Sequence, residues 1–310
     1  MKFAFVFPGQ GSQAVGMMSG FDSVSVVRDT FVEASDVLKL DLWQMATAGP
    51  VEVLNMTVNT QPLMLTAGIA TYRAWHALGG DVPTVMAGHS LGEYSALVAA
   101  GALHFGDALP LVRFRAQVMQ EAVAEGVGAM AAILGLDDEM VRAVCAEAAQ
   151  GEVLEAVNYN SPGQVVIAGH KVAVERGMEL AKAKGAKRAL PLPVSVPSHC
   201  ALMLPAAERL AEYLKDVAVT KPLIPVLQNA DVTSFDDPEA IKAALVKQLH
   251  SPVRWVEIIQ SMAQKGVQVA AECGPGKVLV GLNKRIVADI KQISLNDSAA
   301  LELNIIELKQ

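Results

Sequence analysis

The chain contains the pentapeptide Gly88-His89-Ser90-Leu91-Gly92, which fits the G-x-S-x-G pattern of a serine nucleophile. A short apolar run at 84–87 precedes it, and an Ala- and Leu-rich run that favours a helix follows at 90–101. Strand, tight turn and helix in this order would present Ser90 at a strand end, beside the free N–H groups of a helix N-terminus. The same five letters arise by chance in glycine-rich chains, but this context favours covalent acyl chemistry with a stabilised oxyanion.

A serine nucleophile needs a base, and the chain has six histidines: His76, His89, His104, His170, His199 and His250. His199 follows Val196-Pro197-Ser198, where the chain leaves a predicted small domain, so a rigid loop in a crevice would position it. His89 is adjacent to Ser90 in sequence, but neighbouring side chains diverge at such a turn. Position alone leaves two roles open for His199, a catalytic base or a structural histidine. A structural role is expected for His76, His104, His170 and His250.

A glycine-rich loop, Phe-Pro-Gly-Gln-Gly-Ser-Gln at 7–13, follows the first predicted strand. It lacks the Gly-Lys-Ser/Thr sequence of a phosphate-binding Walker loop and the G-x-G-x-x-G spacing of dinucleotide sites. Two interpretations remain open. The loop either donates a backbone N–H to an oxyanion or is an ordinary turn between a strand and a helix.

Arg115 interrupts the apolar face of a helix predicted for 107–121. It lies three residues after Val112 and four before Met119, so it is on or beside the buried side. A buried arginine requires an anion partner. That partner is either a carboxylate of this chain in a structural ion pair, or the carboxylate of a substrate held through two hydrogen bonds.

The composition narrows the class of protein. The 310 residues are 52% hydrophobic and carry a net charge of -7 without a basic run, which argues against nucleic-acid binding. The three cysteines have neither disulfide nor zinc-ligand spacing, which predicts a reducing compartment and no metal site. No apolar stretch is long enough for a membrane span or a signal peptide, so we expect a cytoplasmic protein without membrane contact.

The predicted elements alternate as in an α/β protein. A large domain with a parallel-sheet core is expected at 1–125 and 198–310, interrupted by a small βαββαβ domain at 126–197. In the first part of the large domain we predict strands at 2–7 and 84–87 and a helix at 61–78 with Pro62 in its first turn. In the small domain we predict strands at 128–135, 153–158, 164–168 and 188–194, with helices from 137 to about 148 and from 172 to about 184. In the last part we predict helices at 206–214, 238–249 and 253–264 and strands at 224–227 and 267–272.

Taken together, the motifs of this sequence make it resemble the malonyl-CoA:acyl carrier protein transacylases of bacterial type II fatty acid synthesis. The resemblance covers essentially the whole chain and includes the helix that carries Arg115. The matching motifs are FPGQGSQ at 7–13, TQPLML at 60–65, GHSLGEYSAL at 88–97, NSPGQVVIAG at 160–169, PVSVPSHC at 193–200, QLHSPVRW at 248–255 and GPGKVL at 274–279.

The resemblance implies roles for the residues at matching positions. Ser90 would be the nucleophile and His199 its base, and the backbone N–H groups of Gln10 and Leu91 would form the oxyanion hole. The histidine would be oriented by the backbone carbonyl of Gln248 rather than by a third acid. Nothing in the residue pattern alone indicates that carbonyl.

The resemblance also implies the substrate and the fold. Arg115 would hold the malonyl carboxylate with Gln61 nearby, and Met119 would limit the size of the acyl pocket. The large domain would be α/β hydrolase-like and the small domain ferredoxin-like. The expected activity is transfer of malonyl from malonyl-CoA, through a malonyl-serine, to holo acyl carrier protein, by a monomer without cofactor or metal.

Two rival functions use the same residues. An esterase or thioesterase would share Ser90 and His199, but a carboxylate-binding Arg115 has no purpose for a neutral acyl group. A non-catalytic module that docks carrier proteins would not need an intact Ser90, His199 and glycine loop. The sequence leaves open whether the pathway is fatty acid or polyketide synthesis.

Overall fold

The computed structural model describes residues 1–194 and 196–309; Ser195, in the PVSVPSHC motif, and Gln310 lie outside the described residues. The strands are β1 (Phe3–Phe7), β2 (Val85–Gly88), β3 (Gly128–Leu134), β4 (Leu154–Ser161), β5 (Gln164–His170), β6 (Arg188–Pro191), β7 (Val226–Leu227), β8 (Val269–Glu272) and β9 (Lys291–Ser294). The helices are α1 (Ser25–Leu38), α2 (Leu42–Ala48), α3 (Val51–Leu54), α4 (Thr57–Ala77), α5 (Gly92–Ala99), α6 (Phe105–Glu121), α7 (Asp138–Ala149), α8 (Lys171–Ala183), α9 (Leu204–Leu214), α10 (Pro238–Leu249), α11 (Trp255–Gln264), α12 (Val278–Ile286) and α13 (Ser298–Leu308). Short 3-10 helices occupy Ser19–Phe21 and Ala201–Met203.

The larger part of the chain is built on a five-stranded parallel sheet with the order β7-β2-β1-β8-β9. All residues of β1 and β2 are buried, because helices cover both faces of the sheet. β1 and β2 are neighbours, and Phe7 pairs with Gly88 at their ends. The glycine-rich loop after β1 and the turn after β2 therefore leave the sheet side by side.

The second sheet is antiparallel, has four strands in the order β4-β5-β3-β6, and packs against α7 and α8. Its elements follow the order β3-α7-β4-β5-α8-β6, as the sequence predicts. A bridge between Asn158 and Val253 connects β4 to the residues just before α11. The structure is therefore an α/β fold with one parallel and one antiparallel sheet.

Several predicted boundaries are wrong. Helix α4 begins at Thr57 rather than at Gln61, so Pro62 lies inside the helix and not in its first turn. Thr60 helps to anchor this earlier start, because its Oγ1 donates to the backbone oxygen of Leu54 at 2.6 Å. Strand β6 ends at Pro191 rather than at Val194.

Other elements were not predicted at all: α1, α2, α3, α12, β9 and α13. Helix α1 buries Val27, Phe31, Ala34 and Leu38, a spacing that the sequence already showed and that indicates an amphipathic helix. Strand β9 is a four-residue edge strand with a partly exposed pattern, which carries little signal in the sequence.

The three cysteines are free and buried, and burial raises the pKa of the thiols of Cys145 and Cys200 to about 12. Within residues 1–194 and 196–309, no helix combines the length and the apolar character that crossing a membrane requires.

Candidate active site

Ser90 occupies a sharp turn between β2 and α5. Its φ of 52° lies in the left-handed region, which non-glycine residues rarely adopt. The glycines on either side let the strand and the helix approach closely. A Cβ on Gly88 would lie 1.8 Å from the backbone carbon of Gly92, and a Cβ on Gly92 would lie 2.1 Å from the oxygen of Phe7. The strand, turn and helix predicted around Ser90 are therefore present, and only glycine fits at both flanking positions.

Ser90 and His199 are in hydrogen-bond contact, with 2.8 Å between Oγ and Nε2. The other ring nitrogen of His199, Nδ1, lies 2.7 Å from the backbone oxygen of Gln248. A carbonyl oxygen only accepts, so Nδ1 carries the proton and Nε2 of the neutral ring accepts from the serine hydroxyl. The backbone carbonyl of Gln248 thus occupies the place that an acid takes in a Ser-His-Asp triad.

The imidazole of His199 is buried, with 2% of its surface exposed. Burial, together with the positive charge of Arg115, lowers the pKa of His199 to about 3. The folded protein therefore keeps this ring neutral, which is the form that accepts a proton from serine.

Because the pKa of His199 is lowered, we expect the reactivity of Ser90 to stay nearly constant as the pH falls below neutrality. A histidine with a pKa near 6.5 would lose about tenfold in neutral form between about pH 7.5 and about pH 5.5, whereas one with a pKa near 3 would lose almost none. We expect the rate of Ser90 labelling by an uncharged fluorophosphonate to change less than about twofold over that range. The rate is measured by stopping the labelling reaction at successive times and recording the mass of the intact protein. A tenfold loss of labelling rate would show that His199 titrates with its ordinary pKa.

Two residues that line the same cavity as Ser90, Gln10 and Leu91, offer backbone N–H groups. In the part of the chain that the structure describes, neither Gln10 nor Leu91 donates its backbone N–H within the protein. The glycine-rich loop approaches the turn closely, since a Cβ on Gly9 would lie 2.5 Å from the oxygen of His89 and 3.8 Å from the nitrogen of Leu91. The loop's second glycine, Gly11, donates its N–H to Oε1 of Gln13 at 2.7 Å.

Arg115 is buried, with 1% of its surface exposed, and its guanidinium points at the nucleophile. Nη1 donates to Oε1 of Gln61 at 2.8 Å, and Nη2 donates to Oε1 of Gln248 at 2.9 Å and to Oγ of Ser90 at 3.2 Å. The ring of Tyr94 lies beneath the guanidinium, 5.4 Å away. No carboxylate among the described residues forms an ion pair with Arg115. The internal ion pair that the sequence left open is therefore not formed there.

The side chain of Gln248 has a role that the sequence analysis missed. Besides its backbone contact with His199, its Oε1 accepts from Arg115 and its Nε2 donates to the backbone oxygen of Ser90 at 3.0 Å. One buried residue of α10 thus contacts His199, Ser90 and Arg115. The only signal in the sequence was the presence of a glutamine in the QLHSPVRW motif, and its burial is seen only in the structure.

A cavity of about 200 Å³ between the two sheets is lined by Gln10, Gln61, Ser90, Leu91, Arg115 and His199. Met119 lies on its wall, with its sulfur 3.8 Å from Nε2 of Gln61. The antiparallel sheet contributes Met130, Val166 and Asn160, and Asn160 Oδ1 is 2.8 Å from Nε2 of His89. The ring of His89 therefore contacts the small sheet rather than Ser90, as predicted for a neighbour at such a turn.

The cavity brings together a serine hydroxyl, a buried imidazole, two backbone N–H groups without an acceptor among the described residues, and a buried guanidinium. Across the described ranges, no group of three or more His, Cys, Asp or Glu side chains is arranged to hold a metal ion. The arrangement suits covalent transfer of an acyl group that carries its own negative charge.

Comparison with known proteins gives consistent results. A family model for the acyl transferase domain matches residues 4–299. The malonyl CoA-acyl carrier protein transacylase of Escherichia coli K12 is 56% identical over 97% of this chain and 99% of its own. The acyl-carrier-protein S-malonyltransferase of Burkholderia pseudomallei 1710b has a crystal structure with a TM-score of 0.98 and 60% identity, covering 99% of this chain and 100% of that one. A malonyl-transacylase solved in complex with a type II polyketide synthase acyl carrier protein has a TM-score of 0.98 and 52% identity, covering 99% and 100%.

Proposed function

Because the chain belongs to the acyl transferase domain family, and within it to the malonyl CoA-acyl carrier protein transacylases, we propose that it works through a covalent malonyl-Ser90 intermediate. Its activity is transfer of malonyl from malonyl-CoA to acyl carrier protein, which makes it an acyltransferase. The geometry around Ser90 supports a reaction in two half-steps that share one base.

In the first half-step, Nε2 of His199 accepts the hydroxyl proton as Oγ of Ser90 bonds to the thioester carbon of malonyl-CoA. The backbone N–H groups of Gln10 and Leu91 donate to the oxyanion of the tetrahedral intermediate. The carbon–sulfur bond then breaks, and His199 returns the proton to the departing CoA thiolate. The products are malonyl-Ser90 and free CoA.

In the second half-step, the phosphopantetheine thiol of holo acyl carrier protein takes the place of CoA. His199 accepts the thiol proton as the sulfur attacks the malonyl ester carbon. The bond to Ser90 Oγ breaks, and His199 returns the proton to the serine. Malonyl-carrier protein leaves and the starting enzyme is regenerated, so no redox group, metal or cofactor takes part.

The observation that carries the proposal is the buried guanidinium of Arg115 in the same cavity as the Ser90–His199 pair. Its hydrogen-bond acceptors are neutral: the two glutamine side chains and the serine hydroxyl. A malonyl carboxylate would supply the missing negative charge and fix the thioester carbon near Ser90. Met119 and Gln61 would bound the space left for the acyl group.

The same contacts separate this function from its two rivals. A hydrolase of neutral esters gains nothing from a buried arginine that donates to Ser90 Oγ and forms no ion pair among the described residues. A docking module gains nothing from a serine and a histidine 2.8 Å apart with the histidine held neutral.

Intact-protein mass tests the proposal directly. After mixing with malonyl-CoA, we expect an increase of about 86 Da, the mass of a malonyl ester. Adding holo acyl carrier protein should remove this adduct and add the same mass to the carrier. An adduct that water removes faster than the carrier does would identify a hydrolase, and the absence of any adduct would overturn the covalent mechanism.

The finer architecture and setting are part of the same proposal. The parallel sheet with its nucleophile turn supports an α/β hydrolase-like domain at 1–125 and 198–310. The strand order β4-β5-β3-β6 supports a ferredoxin-like domain at 126–197. We place the enzyme in the cytoplasm as a monomer that supplies malonyl units for fatty acid synthesis and binds neither nucleic acid nor membrane.

A further inference from the structure

The backbone of the nucleophile turn is bridged by one side chain that the mechanism above does not use. Asn229, two residues after β7, is fully buried. Its Oδ1 accepts the backbone N–H of Ser90 at 2.7 Å, and its Nδ2 donates to the backbone oxygen of Gly88 at 2.7 Å. A single amide therefore holds both sides of a turn whose central residue has an unfavourable φ.

Asn229 is itself held by a buried acid. Its backbone N–H donates to Oε2 of Glu93 at 2.6 Å, and its backbone oxygen accepts from the N–H of Arg254 at 3.1 Å. Glu93 is on α5, and its own N–H donates to the oxygen of Ser90 at 3.1 Å. The contacts thus form a closed loop from Ser90 through Asn229 and Glu93 back to Ser90.

Keeping Glu93 in this place has a cost. The side chain is 0% exposed, and its Oε1 has no hydrogen-bond partner among the described residues. Burial raises the pKa of this carboxyl to about 8, although the nearby positive charge of Arg115 acts in the opposite direction. A buried carboxyl with an unpaired oxygen lowers the stability of a fold. Its presence therefore calls for a functional explanation.

The hydrogen bonds of the Asn229 side chain also determine which backbone N–H groups can donate to the oxyanion. Because the N–H of Ser90 is committed to Asn229, it is not available to the acyl oxygen. Among the described residues, the N–H of the next residue, Leu91, has no acceptor, and Leu91 lines the same cavity as Ser90. A rotation of the turn would move Oγ away from His199 and misalign this donor, and displacements of about 1 Å cost about 10²-fold in rate.

We propose that Asn229, held in place by Glu93, is a positioning residue that fixes Ser90 against His199 and directs the Leu91 N–H to the oxyanion. The inference rests on the proposed role of Ser90 as nucleophile. Because it concerns the nucleophile and not the acyl group, it applies equally to malonyl, acetyl and artificial acylating reagents.

The test compares Asn229→Leu, Glu93→Leu and Glu93→Gln in the full chain. We expect both leucine variants to lower fluorophosphonate labelling, malonyl transfer and acetyl transfer by a common factor of about 10²-fold, with KM within about twofold. Glu93→Gln keeps an oxygen that accepts the Asn229 N–H and should lose far less. Asn304→Leu, which removes a buried amide on α13 whose side-chain hydrogen bond among the described residues goes to the oxygen of Ala300, is the matched control for stability.

The outcomes are distinct. Labelling of Asn229→Leu at the wild-type rate per folded molecule, or an equal loss in Glu93→Gln and Glu93→Leu, would overturn the positioning role. Labelling that persists in Ser90→Ala would instead refute the nucleophile assignment. If Asn229→Leu does not fold, Asn229→Asp replaces it. That variant keeps the volume but places an oxygen opposite Gly88 O, so wild-type labelling would again contradict the inference.

Discussion

Replacing Ser90 with alanine is expected to abolish the malonyl adduct and to lower malonyl transfer at least about 10³-fold, the scale of nucleophile removal in serine enzymes. The substitution deletes only Oγ, which receives a hydrogen bond from Arg115 and contacts His199. Alanine tolerates the positive φ about as well as serine, so the melting temperature should stay near that of the wild type. Intact mass after malonyl-CoA addition and a carrier-protein transfer assay measure the loss.

Ser95→Ala is the matched control for this experiment. Ser95 lies on α5, the helix that follows Ser90, is buried, and its hydroxyl has no partner among the described residues. It should retain the adduct and the transfer rate. An adduct of unchanged size on Ser90→Ala would place the nucleophile at another residue.

The second large effect concerns Arg115. In Arg115→Ala, kcat/KM for malonyl transfer should fall about 10²- to 10³-fold, because an interaction between a buried charge and its partner is worth about 2–5 kcal/mol. Transfer of acetyl, which has no carboxylate, should be unchanged or faster. The ratio of the two rates is the informative quantity, since partial unfolding would lower both together.

Arg113→Ala supplies the control, because Arg113 is on the same helix but outside the cavity. It should leave the ratio of malonyl to acetyl transfer unchanged. Arg115→Lys keeps the charge but not the paired donors of a guanidinium. Its ratio of malonyl to acetyl transfer should therefore lie between the ratios of Arg113→Ala and Arg115→Ala. Equal losses of malonyl and acetyl transfer in Arg115→Ala would show that the arginine supports the fold rather than the substrate carboxylate.

Much of this site was readable from local sequence. The G-x-S-x-G turn needs only its flanking strand and helix, and the burial of Arg115 follows from helical spacing. The small domain's element order follows from alternation and turn residues. These features depend on residues within a few positions of one another, where periodicity and steric rules operate.

The remaining features depend on contacts between distant parts of the chain. Asn229 reaches Ser90 across 139 residues, and the Gln248 side chain reaches it across 158. The Gln248 carbonyl that orients His199 is a group that every residue carries, so residue type gives no signal. The resemblance to a family indicated that carbonyl, but only the packing of α10 shows the side-chain contacts.

The lack of an ion pair to Arg115 among the described residues has a consequence for the evolution of the enzyme. A desolvated guanidinium without a directly bonded carboxylate lowers the stability of the fold, and apolar replacements of buried ions are often neutral or stabilising. Selection for thermal robustness alone would therefore tend to remove this arginine. Its retention would mark selection for discrimination between acyl groups, so stabilising designs should leave this position unaltered.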